Sequence, residues 1–159
     1  MNPNRPDTES VYRLLGEIPD PEVPVLSIID LGIVRDVILH PDETEVVITA
    51  TYTGCPAMDW IATRIRVELE GKGLGPVRVS RTIAPAWTTD WMSESGKEKL
   101  KAYGIAPPDK RFEIPADGVI CPRCGSEDTH LLSVFGSTAC KALYQCRNCQ
   151  EPFDYFKCH

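Results

Sequence analysis

Two Cys-x-x-Cys pairs constrain this chain more than any other feature. They are Cys121-Pro122-Arg123-Cys124 and Cys146-Arg147-Asn148-Cys149. Each pair sets two thiols on one tight turn, and two such turns can converge as a tetrahedral set around one metal ion. Gly125 follows the first turn and suits a backbone that must bend while its N–H groups point at sulfur. The segment between the pairs, 125–145, is slightly longer than the roughly 15–20 residues usual for this arrangement. It contains two apolar stretches, Leu131 to Phe135 and Leu143-Tyr144, that read as short strands. The expectation is a C-terminal zinc β-ribbon over 119–159, with Cys121, Cys124, Cys146 and Cys149 as structural ligands. A module of about 40 residues buries too little apolar surface to fold alone, so the metal supplies much of its folding free energy. Thiolate spacing does not by itself separate zinc from a single iron that would carry electrons. Four protein thiolates leave no open coordination position for catalysis.

The chain has seven Cys, an odd number. The start, Met1-Asn2-Pro3-Asn4-Arg5-Pro6, has no apolar core of a secretory signal. Paired Cys-x-x-Cys turns in that setting argue for metal binding in a reducing cytoplasm, not for a disulfide framework. Cys140, Cys158 and His159 remain as further potential ligands, and their spacing leaves open whether any joins the ribbon site.

The seventh thiol, Cys55, stands in Thr51-Tyr52-Thr53-Gly54-Cys55-Pro56. A strand-like alternation runs up to Thr53, and a helical period begins at Pro56. Pro is tolerated at the first helical position, so Cys55 falls at or just before the cap of that helix. Unpaired N–H groups and the positive end of the helix dipole favour its thiolate there. The plainer reading is a small buried residue at a strand–helix corner.

Around this corner the pattern reads as a small two-layer α+β domain in the order helix, strand, strand, helix, strand. Asp7 or Thr8 caps a first helix with apolar Val11, Leu14, Leu15 and Ile18, and Pro19 stops it. Pro19 to Pro24 holds three prolines and forms a loop, either a rigid connector or a device presenting Glu22 or Asp30 toward Cys55. Ile33 to Leu39 and Glu45 to Thr53 read as a hairpin across the turn at 40–44, with His40 exposed. The second helix places Met58, Ile61, Ala62, Ile65 and Leu69 on one face, with Arg64 and Arg66 in solvent, and ends at Gly71. Val77, Val79 and Ile83 mark a third strand. Trp87 and Trp91 either close the core or face a partner. Ser93 to Tyr103 reads as a helix with Gly104 as its C-cap. The expected division is a domain over 7–104, a proline-bearing linker over 105–118 and the ribbon over 119–159.

A net charge of −6 argues against gripping a nucleic-acid backbone, which requires clustered Lys and Arg. No apolar run approaches the 18 or so residues needed to span a bilayer. Neither a phosphate-cradling Gly loop nor a spaced acid–base pair is present, so catalysis by the chain itself is not expected.

Three motifs carry a family resemblance. Asp20-Pro21-Glu22-Val23-Pro24-Val25, Ile29-Asp30-Leu31-Gly32-Ile33-Val34 and Thr53-Gly54-Cys55-Pro56 resemble the iron–sulfur cluster assembly (SufT-like) domain family. Pro85-Ala86-Trp87 fits the end of such a domain. Joined to Cys121–Cys124, to 135–144 (Phe-Gly-Ser-Thr-Ala-Cys-Lys-Ala-Leu-Tyr) and to 151–158, it is similar to the D-subunit family of phenylacetyl-CoA 1,2-epoxidase systems.

The resemblance implies an accessory role in phenylacetate catabolism, beside a di-iron oxygenase and a reductase with flavin and a [2Fe–2S] cluster. It points to maturation of those iron or Fe–S centres, with transient iron or cluster handled at Cys55 and, by position, Asp30 and Glu22. One thiolate cannot hold a cluster, which takes about four protein ligands. A second protomer, a partner's thiols, or Cys140 and Cys158 would have to complete it. A docking component of the oxygenase and a rubredoxin-like electron carrier are the competing readings.

Overall fold

The computed structural model describes residues 6–52, 54–108, 114–115 and 117–157. The chain forms two compact units that meet in sequence between Trp87 and Thr88. Each is described by itself.

The first unit opens with α1 (Thr8–Leu15), capped by Asp7, whose carboxylate accepts the Ser10 N–H at 2.8 Å. Its apolar stripe buries Val11 and Leu15 completely. β1 (Val34–Leu39) and β2 (Thr44–Ile48) pair antiparallel across the expected polar turn. β3 (Val77–Arg81) pairs parallel to β2, so the sheet order is β1-β2-β3. A parallel pair requires a crossover, and α2 (Ala57–Gly71) supplies it. α2 buries Ala57, Met58, Ile61, Ala62, Ile65 and Leu69, the face that its period marks. Each fully buried aliphatic side chain of this kind contributes about 1.5–3 kcal/mol. The observed order matches the expected helix, strand, strand, helix, strand.

Two details differ from the expectation. β2 ends at Ile48 rather than running on toward Thr53, which lies outside the described residues. After Ile48 the chain leaves the ladder, although the Thr49 N–H still reaches the Ile33 carbonyl at 2.9 Å. The proline-rich loop, moreover, is a packed element of the core. Its neighbours Ile18, Val23, Leu26, Ile28, Leu31 and Ile33 are all buried. Pro19 bridges to Ser27, and the Asp20 N–H donates to the Leu26 carbonyl at 2.8 Å. Trp87 closes this core, 4% exposed, with its indole N–H donating to the Leu31 carbonyl at 2.7 Å.

In the second unit, α3 (Glu94–Tyr103) starts at Ser93, whose hydroxyl accepts the Gly96 N–H, and stops at left-handed Gly104 (φ 89°). β4 (Ile105–Ala106), β5 (Thr129–Ser133), β6 (Lys141–Cys146) and β7 (Pro152–Phe156) form one sheet in the order β4-β7-β6-β5. Ile105 and Ala106, expected in a linker, are therefore sheet residues. Ile114 packs on the ribbon core, and the Pro115 carbonyl accepts the Tyr144 hydroxyl at 2.7 Å. A two-residue strand between Gly104 and Pro107 has too few positions to show a period. The core gathers Val119, Tyr144, Phe153 and Tyr155, with the Tyr144 and Tyr155 rings edge-on at 5.5 Å.

Candidate metal centre and the Cys55 corner

The first knuckle is turned by the Gly125 N–H, which donates to the Cys121 carbonyl at 2.9 Å. The second lies at the end of β6, where the Cys146 N–H donates to the Glu151 carbonyl at 3.0 Å. Together they bring the sulfurs of Cys121, Cys124, Cys146 and Cys149 within 4.8 Å of one another. Cys121 and Cys149 approach to 3.8 Å, and Cys124 and Cys146 to 3.5 Å. Tetrahedral metal–sulfur bonds of about 2.3 Å separate the sulfurs by about 3.8 Å, so the set fits one ion.

Donors surround the sulfurs as well. The Cys149 N–H points at Cys146 Sγ (3.5 Å), and Asn148 Nδ2 points at Cys124 Sγ (3.7 Å). The Ser126 N–H, then Asn148, draw the Cys124 thiol down to about 6. The Glu151 N–H lowers Cys149 too, but burial and its three sulfur neighbours win and push it up to about 11. Such crowded thiols resist full ionisation unless a cation joins them. The four residues can hold that ion, and they fill its coordination sphere.

Of the further ligands weighed for this site, Cys140 is placed elsewhere. It is buried, and its sulfur lies 2.9 Å from Thr138 Oγ1. Cys140 precedes β6 and Cys146 ends it, a separation of about 20 Å along a strand. Cys158 and His159 lie outside the described residues.

In the first unit, Pro56 is the N-cap of α2 and Cys55 precedes it. The Cys55 N–H donates to the Tyr52 carbonyl, and the Cys55 carbonyl accepts from the Met58 N–H, both at 3.3 Å. This fixes the thiol in a half-buried position beside the helix start. The helix does help, because the Ala57 N–H and the Tyr52 hydroxyl favour the thiolate. Burial outweighs them, and the carboxylates of Glu22 and Asp20 add to it, so the Cys55 thiol stands above its ordinary value. The expectation of a stabilised thiolate is corrected on that ground.

Glu22 of the proline-rich loop reaches Tyr52, the residue whose carbonyl accepts the Cys55 N–H. Tyr52 OH donates to Glu22 Oε1 at 3.0 Å and also acts on the thiol, which makes it a link between the two. Burial, then the bond to Glu22, raises the Tyr52 hydroxyl well above its usual value. Asp30 has a turn-building contact instead: its Oδ2 accepts the Ser27 N–H while its own N–H donates to Ser27 Oγ, both at 3.0 Å. The second acid acting on Cys55 is Asp20, whose Oδ1 also accepts the N–H groups of Glu22 and Val23. Sequence reasoning missed Tyr52 and Asp20. Tyr52 stands in the alternation before Cys55 and Asp20 among the prolines of the loop, so neither carries a local mark of its link to the thiol.

Known proteins share both halves. Residues 8–80 match the family described as iron-sulfur cluster assembly protein, and residues 106–157 match the PaaD zinc beta ribbon domain. An Escherichia coli (strain K12) protein, provisionally named as the D component of 1,2-phenylacetyl-CoA epoxidase, is 49% identical over 96% of this chain and 94% of its own length. This chain belongs to that D-subunit family. A Porphyromonas gingivalis protein named Fe-S protein maturation auxiliary factor is 36% identical to the D-subunit chain over 58% of it and 89% of its own length. A Bacillus anthracis domain of unknown function, DUF59, superposes with a TM-score of 0.55 at 26% identity, covering 58% of the chain and 89% of that domain. A conserved hypothetical protein from Thermotoga maritima gives 0.52 at 28% identity, over 60% and 95%. Among the described residues no helix is long and apolar enough to cross a membrane.

Proposed function

We propose that this D-subunit chain is a non-catalytic maturation factor that delivers iron or an Fe–S unit to the metal centres of a phenylacetyl-CoA epoxidase. The observation that carries the reading is the pairing of Cys55 with Glu22 and Tyr52 in the assembly-family unit. Cargo is iron or a cluster, and Cys55 is its thiol contact.

Burial, and then the carboxylates of Glu22 and Asp20, keep the thiol protonated at rest, and those carboxylates favour a cation once one arrives, because the same negative charges then attract. Cys55, Glu22 and Asp20 are too few to enclose a cluster. An incomplete site suits transfer, since the client's own thiols, or a second copy of the chain, complete the set and then take the cargo. The ribbon serves as a closed zinc site that maintains the second unit, and the chain works inside the cell beside the oxygenase and reductase components.

The test is to produce the epoxidase reductase together with wild-type chain or with Cys55→Ser. The expected outcome is an intact variant with unchanged zinc and a reductase whose [2Fe–2S] occupancy falls severalfold. Normal occupancy would overturn the reading. A docking role resting on Trp87 has less support, since that indole is buried and bonded to Leu31.

A further inference from the structure

A cavity of about 410 Å³ opens in the second unit between the start of β4, the Arg123 knuckle, β6 and β7. Its charged lining is unusual for a chain of net charge −6. Lys141 is 7% exposed, and among the described residues its ammonium has a single ion-pair partner, Asp154 Oδ2 at 3.9 Å. An ammonium carries three donors, and one that lines a cavity with a single carboxylate at 3.9 Å keeps donors for a ligand. Arg123 is exposed at the rim and has no carboxylate partner among the described residues.

Asp154 lies beside Gly136 and Ser137, whose hydroxyl donates to its Oδ2 at 3.5 Å. At Gly136 an added Cβ would come within 2.6 Å of Asp154 Oδ1, so a larger residue there would displace that carboxylate. Asp154 offsets one of the two cations, and a surplus of one positive charge faces the cavity. Ile105, Leu143 and Phe153 give the wall an apolar side, and Tyr103 and Ser137 add hydroxyls.

We infer that this cavity binds a monocarboxylate with an apolar body, its carboxylate taken by Arg123 and Lys141 and its body lying on Leu143 and Phe153. One surplus charge matches a carboxylate better than a doubly charged phosphate, which Asp154 would repel. Guanidinium groups recognise carboxylates through paired N–H donors, and the size lies within the usual range for small-ligand sites, about 300–1,000 Å³. The carboxylate comes either from a free organic acid or from the C-terminus of a partner protein ending in an apolar residue.

The experiment is a titration of the zinc-loaded full chain followed by backbone-amide NMR. The probes are 3-phenylpropanoate, its neutral amide, and a tetrapeptide ending in phenylalanine with a free or an amidated C-terminus. The acids are expected to give saturable shifts at Ile105, Leu143 and Phe153, with the amides about tenfold weaker or worse. Tighter binding of 3-phenylpropanoate identifies a free acid as the ligand, and tighter binding of the peptide identifies a protein C-terminus; both support the site. Arg123→Gln, a rim substitution, is expected to weaken binding about tenfold with zinc content unchanged. Lys141→Met, if folded, should do the same. Equal binding of acid and amide, shifts elsewhere, no saturable shift, or full affinity in Arg123→Gln would overturn the inference.

Discussion

The two cysteine sites use the same side chain in opposite ways. In the ribbon, four sulfurs lie within 4.8 Å of one another, ringed by N–H donors, and nothing is left for an outside ligand to supply. At the α2 corner a single half-buried sulfur faces two carboxylates and a tyrosine. The first arrangement has enough donors to enclose an ion. The second has too few donors to keep one. The difference teaches that a thiol's function follows from how many neighbours can share the metal, more than from its place beside a helix.

The largest effect should come from breaking the closed site. Zinc binding in small structural domains is worth about 10–16 kcal/mol, so Cys146→Ser or strong chelation is expected to unfold the sheet of the second unit. NMR should then show dispersed signals surviving only from the first unit. A second unit that stays folded without metal would erase the contrast.

Next in size is Trp87→Ala, which removes a buried indole and leaves the Leu31 carbonyl without that donor. It should cost about 3–5 kcal/mol in denaturant unfolding of the first unit. Cys55→Ser, by comparison, should change stability by less than about 1 kcal/mol.

The smallest effect sharpens the description of the open site. Cys55 should react with iodoacetamide only above the ordinary thiol range, because burial and then its acidic neighbours hold the proton on. Glu22→Gln removes one of those charges, so the pH of half-maximal reactivity is expected to fall. Tyr52→Phe removes a group that favours the thiolate, so that pH should rise. Identical pH profiles for the three proteins would mean that the cluster does not govern Cys55. Cys140, buried beside Thr138, should stay unmodified on the same timescale.

Much of this was readable in the residues. The apolar spacing of Met58, Ile61, Ile65 and Leu69 marked the buried face of α2, and the two Cys-x-x-Cys turns marked the ligands that the fold brings together. Such signals repeat within one element, so a local pattern carries them. What escaped depends on tertiary contact. Ile105-Ala106 becomes a strand only because β7 lies beside it. Tyr52 becomes a link only because a loop 30 residues earlier brings Glu22 to it. The protonated state of Cys55 depends on burial and on Asp20, and neither shows in the local Cys-Pro signal at the head of a helix.

The most direct measurement of the central claim is metal and acid-labile sulfide content after anaerobic loading with iron and sulfide, comparing wild type with Cys55→Ser. The account predicts one zinc per chain in both proteins and additional iron, with its thiolate-to-iron absorption, in wild type alone. Iron bound equally by Cys55→Ser, or iron appearing only where zinc is lost, would contradict it.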